Sequence, residues 1–145
     1  MTENTYEILR ARQRIEKSFA SQSMMSTLGA ELVHVELGFV SIRCPLLATT
    51  QQHHGFAHAG VGFSIGDTAA GYAALSQMQE GFDVLTAEMK TNLLAPAKGD
   101  YLLAEGHVVK QGRRLVVVRA DVWAMHGNAK THIAMMTGTM VPVSI

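Results

Sequence analysis

Residues 58–71 read His-Ala-Gly-Val-Gly-Phe-Ser-Ile-Gly-Asp-Thr-Ala-Ala-Gly, with a single carboxylate, Asp67, among small and apolar residues. A helix that faces water carries charge along one side, so this one belongs inside the fold. We read it from residue 58 to about residue 79, kept thin by Gly60, Gly62, Ser64, Gly66, Ala69, Ala70, Gly71, Ala73 and Ala74. Each interior glycine costs about 1 kcal/mol relative to alanine, a cost that makes sense where neighbouring backbone comes close. A thin, charge-poor helix is one that a curved sheet can wrap. A carboxylate buried in it needs a partner or a task.

The remaining chain supplies that sheet. Residues 30–37 and 39–44 each alternate polar and apolar side chains, with Gly38 between them and Pro45 after, which predicts a hairpin. Residues 48–57 are polar and glycine-containing and read as a loop. Strand patterns follow over 84–94, 101–110, 113–125 and 131–143, separated by turn-rich segments such as Ala95-Pro96-Ala97-Lys98-Gly99-Asp100 and Gly127-Asn128. Residues 5–21, with Tyr6, Leu9, Ile15 and Phe19 on an apolar stripe, predict an amphipathic helix covering the sheet from outside. The expectation is a single α+β domain over residues 1–145, with six antiparallel strands around one long helix.

Bulk properties narrow the function. Formal charge is balanced at zero, whereas a nucleic-acid partner calls for a basic excess. No apolar run reaches membrane-spanning length. The polar residues 1–6 lack a signal-peptide core, and the lone Cys44 suits a reducing compartment. We therefore expect a cytoplasmic protein with neither a nucleic-acid nor a membrane partner. No cofactor or metal is expected either: His53, His54 and His58 lie together, but no Cys or carboxylate beside them completes a set.

Two motifs go further. The first is Gln52-x-x-Gly55-x-x-His58-Ala59-Gly60, with Asp67 nine residues after the His. The second is Asn92-Leu93-Leu94-Ala95-Pro96-Ala97-Lys98-Gly99-Asp100, followed by Gly112-Arg113-Arg114. In this order, over roughly residues 28–142, they resemble the phenylacetyl-CoA-type acyl-CoA thioesterases of the hotdog fold. Two positions depart from that pattern: Gln52 stands where the family has Asn, and Ala59 where it has Gly. The resemblance implies hydrolysis of small, aromatic or medium-chain acyl-CoA, a homodimer with composite sites, and pairing of dimers into a homotetramer.

Thioester hydrolysis needs a donor for the carbonyl oxygen and a base or nucleophile near its carbon. The free amides at the start of the central helix supply the donor, Ala59 N–H first and Gly60 N–H second. Asp67 is the nucleophile or general base. His58 either orients the helix start or touches the thioester, and Gln52 holds water or the carbonyl. Gly55, Ser64, Thr68 and Asn92 are candidates for lining the substrate site, and Arg113 and Arg114 for meeting coenzyme A phosphates. Nine residues along a helix amount to about 900° of rotation and about 13 Å of rise, so His58 and Asp67 face opposite sides. Two antiparallel copies of the helix would bring one copy's amino end near the other's Asp67.

Four other readings compete. Gly62-Phe63-Ser64-Ile65-Gly66 has the letters of a serine-hydrolase elbow but no strand before it. Cys44 is a further nucleophile candidate, placed at a strand end. A hotdog dehydratase would need a His and an acid acting together. A non-catalytic acyl-CoA-binding hotdog protein is the main alternative, and it rests on Gln52 and Ala59.

Overall fold

A computed structural model describes residues 1–145. Along the chain it has α1 (Glu3–Ala20), α2 (Ser23–Leu28), β1 (Glu31–Glu36), β2 (Phe39–Pro45), a 3-10 turn (Ala48–Thr50) and α3 (Ala59–Leu75). Four strands complete it: β3 (Phe82–Leu93), β4 (Tyr101–Gln111), β5 (Val116–His126) and β6 (Ala129–Ser144). All six strands form one antiparallel sheet that packs on α3, as the hotdog expectation required. No helix is long and apolar enough to cross a membrane.

The strand order is β1-β2-β4-β5-β6-β3. β3 therefore does not pair with β4, its successor in the chain, but lies at the far edge beside β6. Helix α3 crosses the face of the sheet between β2 and β3, and so delivers the chain to the opposite edge. The loop after β3 then returns it to the middle. β1 and β3 are left as the two edge strands.

Alternation within the strands builds the core. Leu102, Ala104 and Gly106 of β4, and Val116, Val118, Ala120, Val122 and Ala124 of β5, turn inward and are buried. Against them lie Ile65, Ala69, Ala70, Ala73 and Ala74 of α3, all fully buried. The closest backbone approach is at Gly106: a Cβ there would overlap the backbone of Ala69 and Ala70. The glycine that admits the helix thus belongs to the sheet. Of the helix glycines, Gly66 lies against the Met136 side chain, while Gly62 and Gly71 have room for a methyl group.

Several boundaries differ from the sequence reading. α3 stops at Leu75 because Ser76 caps it and turns its hydroxyl to the Gly38 N–H at 2.7 Å. Arg14 then donates to the Met78 carbonyl at 3.2 Å. β5 starts at Val116, since Gly112 N–H closes on the Leu115 carbonyl at 3.0 Å and makes 112–115 a hairpin loop. The short α2 carries no periodic signal of its own; Gly29, at φ +68°, ends it.

α1 also differs. It buries only Ala11 and Ile15, while Tyr6 and Leu9 stay 60% and 41% exposed. It leans on the sheet only at its edge strand β1, and otherwise on α2 and the carboxyl-terminal end of α3. There the Tyr72 hydroxyl donates to Ser18 at 2.9 Å and accepts from Gln22 at 2.6 Å.

On the outer face of the sheet, Asp121 is buried and receives both Nε and Nη2 of Arg119, at 3.0 and 2.9 Å. His132 adds an ion-pair contact at 2.8 Å, off the hydrogen-bond line, and stacks on Trp123 at 4.3 Å between centroids. Burial pushes the Asp121 carboxyl up, but hydrogen bonds and charge from Arg119, together with His132 close by, outweigh it and hold the carboxyl below its ordinary range. A carboxyl depressed in the folded state stabilises it above the unfolded pKa and loses that contribution as pH falls through the folded value. Asp121→Asn should therefore melt lower than wild type at neutral pH, with the gap closing below about pH 4. Melting curves across that range check this; a gap independent of pH would contradict it.

Candidate active site

The chain reaches α3 through a tight turn clipped on both sides. Gln52 N–H donates to the Phe56 carbonyl at 2.8 Å, and Gly55 N–H to the Gln52 carbonyl at 3.0 Å. Gly55 sits at φ +83°, a conformation that residues with a Cβ rarely adopt. His58 N–H donates to the Thr50 carbonyl at 2.9 Å, and Ala57 N–H to the Ala97 carbonyl at 3.0 Å. These bonds fix where the helix begins.

His58 is the N-cap. Its Nδ1 accepts the Gly60 N–H at 2.9 Å, and its carbonyl accepts the Val61 N–H at 2.9 Å. With Nδ1 accepting, the neutral ring carries its proton on Nε2. Gly60 N–H, the second candidate donor, is thereby engaged within the chain. Ala59 N–H, the first amide of the helix, is left outside these bonds, at the positive end of the helix dipole.

This amide borders a cleft of about 480 Å³ whose walls include Gln52, Phe56, Leu93, Pro96 and Ala134. The walls are mostly apolar. The Gln52 side-chain oxygen does not point at a substrate position; it accepts from the His54 and Phe56 amides (3.4 Å for the latter) and holds its own turn. Asn92 is exposed on β3, one residue before Leu93, and makes no side-chain hydrogen bond within the chain.

Asp67 is not in the cleft. It stands two turns further along α3, half-buried instead of enclosed as the sequence suggested, and its Oδ1 accepts from the Thr86 hydroxyl of β3 at 2.7 Å. Oδ2 makes no hydrogen bond in the chain. The carboxylate is thus held by one oxygen and presents the other. Ser64 and Thr68 donate their hydroxyls to the carbonyls of Gly60 and Ser64, at 2.7 and 2.8 Å. Both hydroxyl protons are thus committed to the helix, and Ser64 lies mid-helix instead of on an elbow.

Arg113 and Arg114 lie in the β4–β5 hairpin loop, beside Gln77 and Gln79. That is past the carboxyl end of α3, about 25 Å from its start. One copy of the chain therefore does not bring them to the cleft. His53 and His54 lie side by side in the exposed turn, ring centroids 4.0 Å apart and planes tilted by 44°. Cys44 is fully buried, and burial pushes its thiol up to about 11. A thiol so placed is a poor nucleophile. We expect Cys44 to stay unreactive toward a thiol-specific disulfide reagent in the native protein and to titrate fully after denaturation; rapid native labelling would contradict this burial.

Sequence reasoning missed three participants. Thr86 and the cleft residues Ile133 and Ala134 belong to strands whose contact with α3 leaves no local pattern. The Arg119–Asp121 pair did leave one, since residues two apart on a strand share a face.

Comparison with known proteins fits this geometry. Residues 54–130, a little over half of the chain, match the family described as the thioesterase superfamily. A crystal structure of a thioesterase family protein from Silicibacter pomeroyi superposes with a TM-score of 0.91 at 39% identity, covering 93% of this chain and 99% of that one. The acyl-coenzyme A thioesterase PaaI of Escherichia coli is 27% identical over 114 residues, 78% of this chain and 79% of that protein. An Escherichia coli PaaI structure, at 23% identity, shares the fold with a TM-score of 0.85 over 94% of this chain and 96% of that one.

Proposed function

Since the chain belongs to the thioesterase superfamily and is a thioester hydrolase by that membership, we propose that it hydrolyses acyl-CoA at sites built by two copies of itself. The observation that carries this is the separation of the two reactive groups along α3. Ala59 N–H opens on an apolar cleft, whereas Asp67 lies about 12 Å further along the helix and outside that cleft.

In this reading the thioester carbonyl oxygen accepts a hydrogen bond from Ala59 N–H, and the helix dipole favours the negative charge that develops there. Asp67 of the second copy, aimed by Thr86, takes a proton from water through its free oxygen. The water oxygen attacks the carbonyl carbon. The tetrahedral intermediate collapses, the carbon–sulfur bond breaks, and coenzyme A leaves as the thiol after taking up the proton. Direct attack by Asp67, forming an acyl-enzyme anhydride that water then cleaves, uses the same geometry. His58 positions the helix start.

Exposed parts of the chain support pairing. β3 is an edge strand with Leu85 and Leu93 58% and 64% exposed. Beside it runs the face of α3 that carries Phe63 and Asp67. An exposed, apolar edge of this length invites a second strand. A tetramer is the further assembly, in which Arg113 and Arg114 meet coenzyme A bound at another copy's cleft.

The second reading, acyl-CoA binding without turnover, is favoured by one feature: the Gln52 side-chain oxygen is spent on its own turn. Thiol release from a panel of acyl-CoAs decides between the two. Turnover on any of them supports the hydrolase. Binding of every acyl-CoA with turnover of none supports the binding protein.

A further inference from the structure

The two edge strands of the sheet differ in what an incoming strand would meet. β3 offers 12 residues, with Leu85 and Leu93 exposed. β1 has six residues, and its register with β2 slips between Leu32 and His34. The two-residue turn at Leu37 and Gly38 makes Glu36 and Phe39 the closing, hydrogen-bonded pair of the hairpin. In an antiparallel ladder the next residue, Val35, then turns its N–H and C=O away from β2, toward the free edge. Helix α1 leans on β1 there, and Arg12 Nη2 donates to that Val35 carbonyl at 3.5 Å. Charge acts in the same direction. Antiparallel pairing of β1 with a second copy over its full length, Leu32 opposite Val35, sets Glu31 opposite Glu36 at both ends. Both carboxylates are exposed, and like charges directly opposite each other destabilise a strand pair.

We propose that α1, through Arg12, closes the β1 edge to a second copy of the chain, with Glu31 and Glu36 as a further barrier, so that strand-to-strand assembly stops after one pairing through β3. A sheet with two open edges can add copies without end, whereas a sheet with one closed edge stops at a pair. The limit to a pair rests on the β3 pairing proposed above; the closure of β1 does not. This gives α1 a task beyond packing, since the helix runs for 18 residues and buries only Ala11 and Ile15. Its place along β1 puts a guanidinium on the one carbonyl that a new strand would need first.

The test is sedimentation velocity over a wide concentration range for three proteins: wild type, Glu31→Thr/Glu36→Thr, and Arg12→Ala/Glu31→Thr/Glu36→Thr. All three positions are exposed, so the fold should survive, and circular dichroism checks that it does. Wild type should keep one mass. The triple variant should gain about twofold or more in weight-average mass as concentration rises, and its Val35 amide should exchange with solvent more slowly than in wild type. The double variant, still guarded by Arg12, should stay close to the wild-type mass. A folded triple variant with the wild-type mass and unchanged Val35 exchange overturns the guard. So does a double variant that grows as much as the triple. A wild-type monomer whose triple variant stops at a dimer keeps the guard and removes the β3 pairing, whereas growth that continues with concentration supports both.

Discussion

Asp67→Asn should reduce kcat on acyl-CoA by about 10³-fold, the scale set by loss of a positioned general base. Asparagine keeps the shape of the carboxylate, and its carbonyl still accepts the Thr86 hydroxyl. The fold and the assembly should therefore survive. What disappears is the second oxygen as proton acceptor, or as nucleophile. KM should move little, because asparagine has nearly the size and shape of the carboxylate it replaces and what it removes acts on the transition state. Thr86→Val is the companion variant. It leaves the carboxylate in place but removes the 2.7 Å bond that aims it, so kcat should fall less than in Asp67→Asn, again at nearly constant KM. Steady-state thiol release, with sedimentation to follow assembly, measures all of this. Equal turnover in wild type and Asp67→Asn would make Asp67 a structural partner of Thr86 and remove it from the chemistry.

Gly106→Ala should be the most damaging single methyl group in the molecule. The added Cβ would overlap the Ala69 carbonyl group and the Ala70 nitrogen. Those are backbone atoms of a buried helix, and they cannot rotate away. To relieve the overlap, α3 would have to lift from β4, opening the core on both sides. We expect a loss of about 3 kcal/mol or more, or roughly 10 °C in Tm, by thermal or urea unfolding. Gly62→Ala, the same chemical change on the helix itself, should leave Tm unchanged or raise it, because alanine is favoured over glycine in a helix and its Cβ has room. A Gly106→Ala protein as stable as wild type would mean that the helix does not bear on that strand.

Much of the site could be read from the residues because its logic is local. A helix start needs capping, and His58 followed by Ala59-Gly60 at the end of a glycine-containing turn announces one. The spacing from His58 to Asp67 fixes their opposite facing through helix geometry alone. What could not be read is what each group meets. Thr86 lies 19 residues from Asp67 in the chain, and no spacing rule joins a helix residue to an edge strand. Gln52 suggested a group aimed at substrate, yet its nearest donors are the amides of its own turn. Arg113 looked like the start of a strand until Gly112 closed on Leu115 and left both arginines in a loop.

By itself the sequence determined the main elements, one thin, charge-poor helix, six alternating strands and an outer helix, and left out only the short α2. These follow from composition and from periods of two and 3.6, which each segment carries alone. Only the tertiary structure decided that β3 crosses to the far edge of the sheet, that Gly106 and not a helix glycine admits α3, and that Asp67 stays half-exposed. Each of these depends on distances between segments far apart in the chain, where packing of one surface on another selects the outcome.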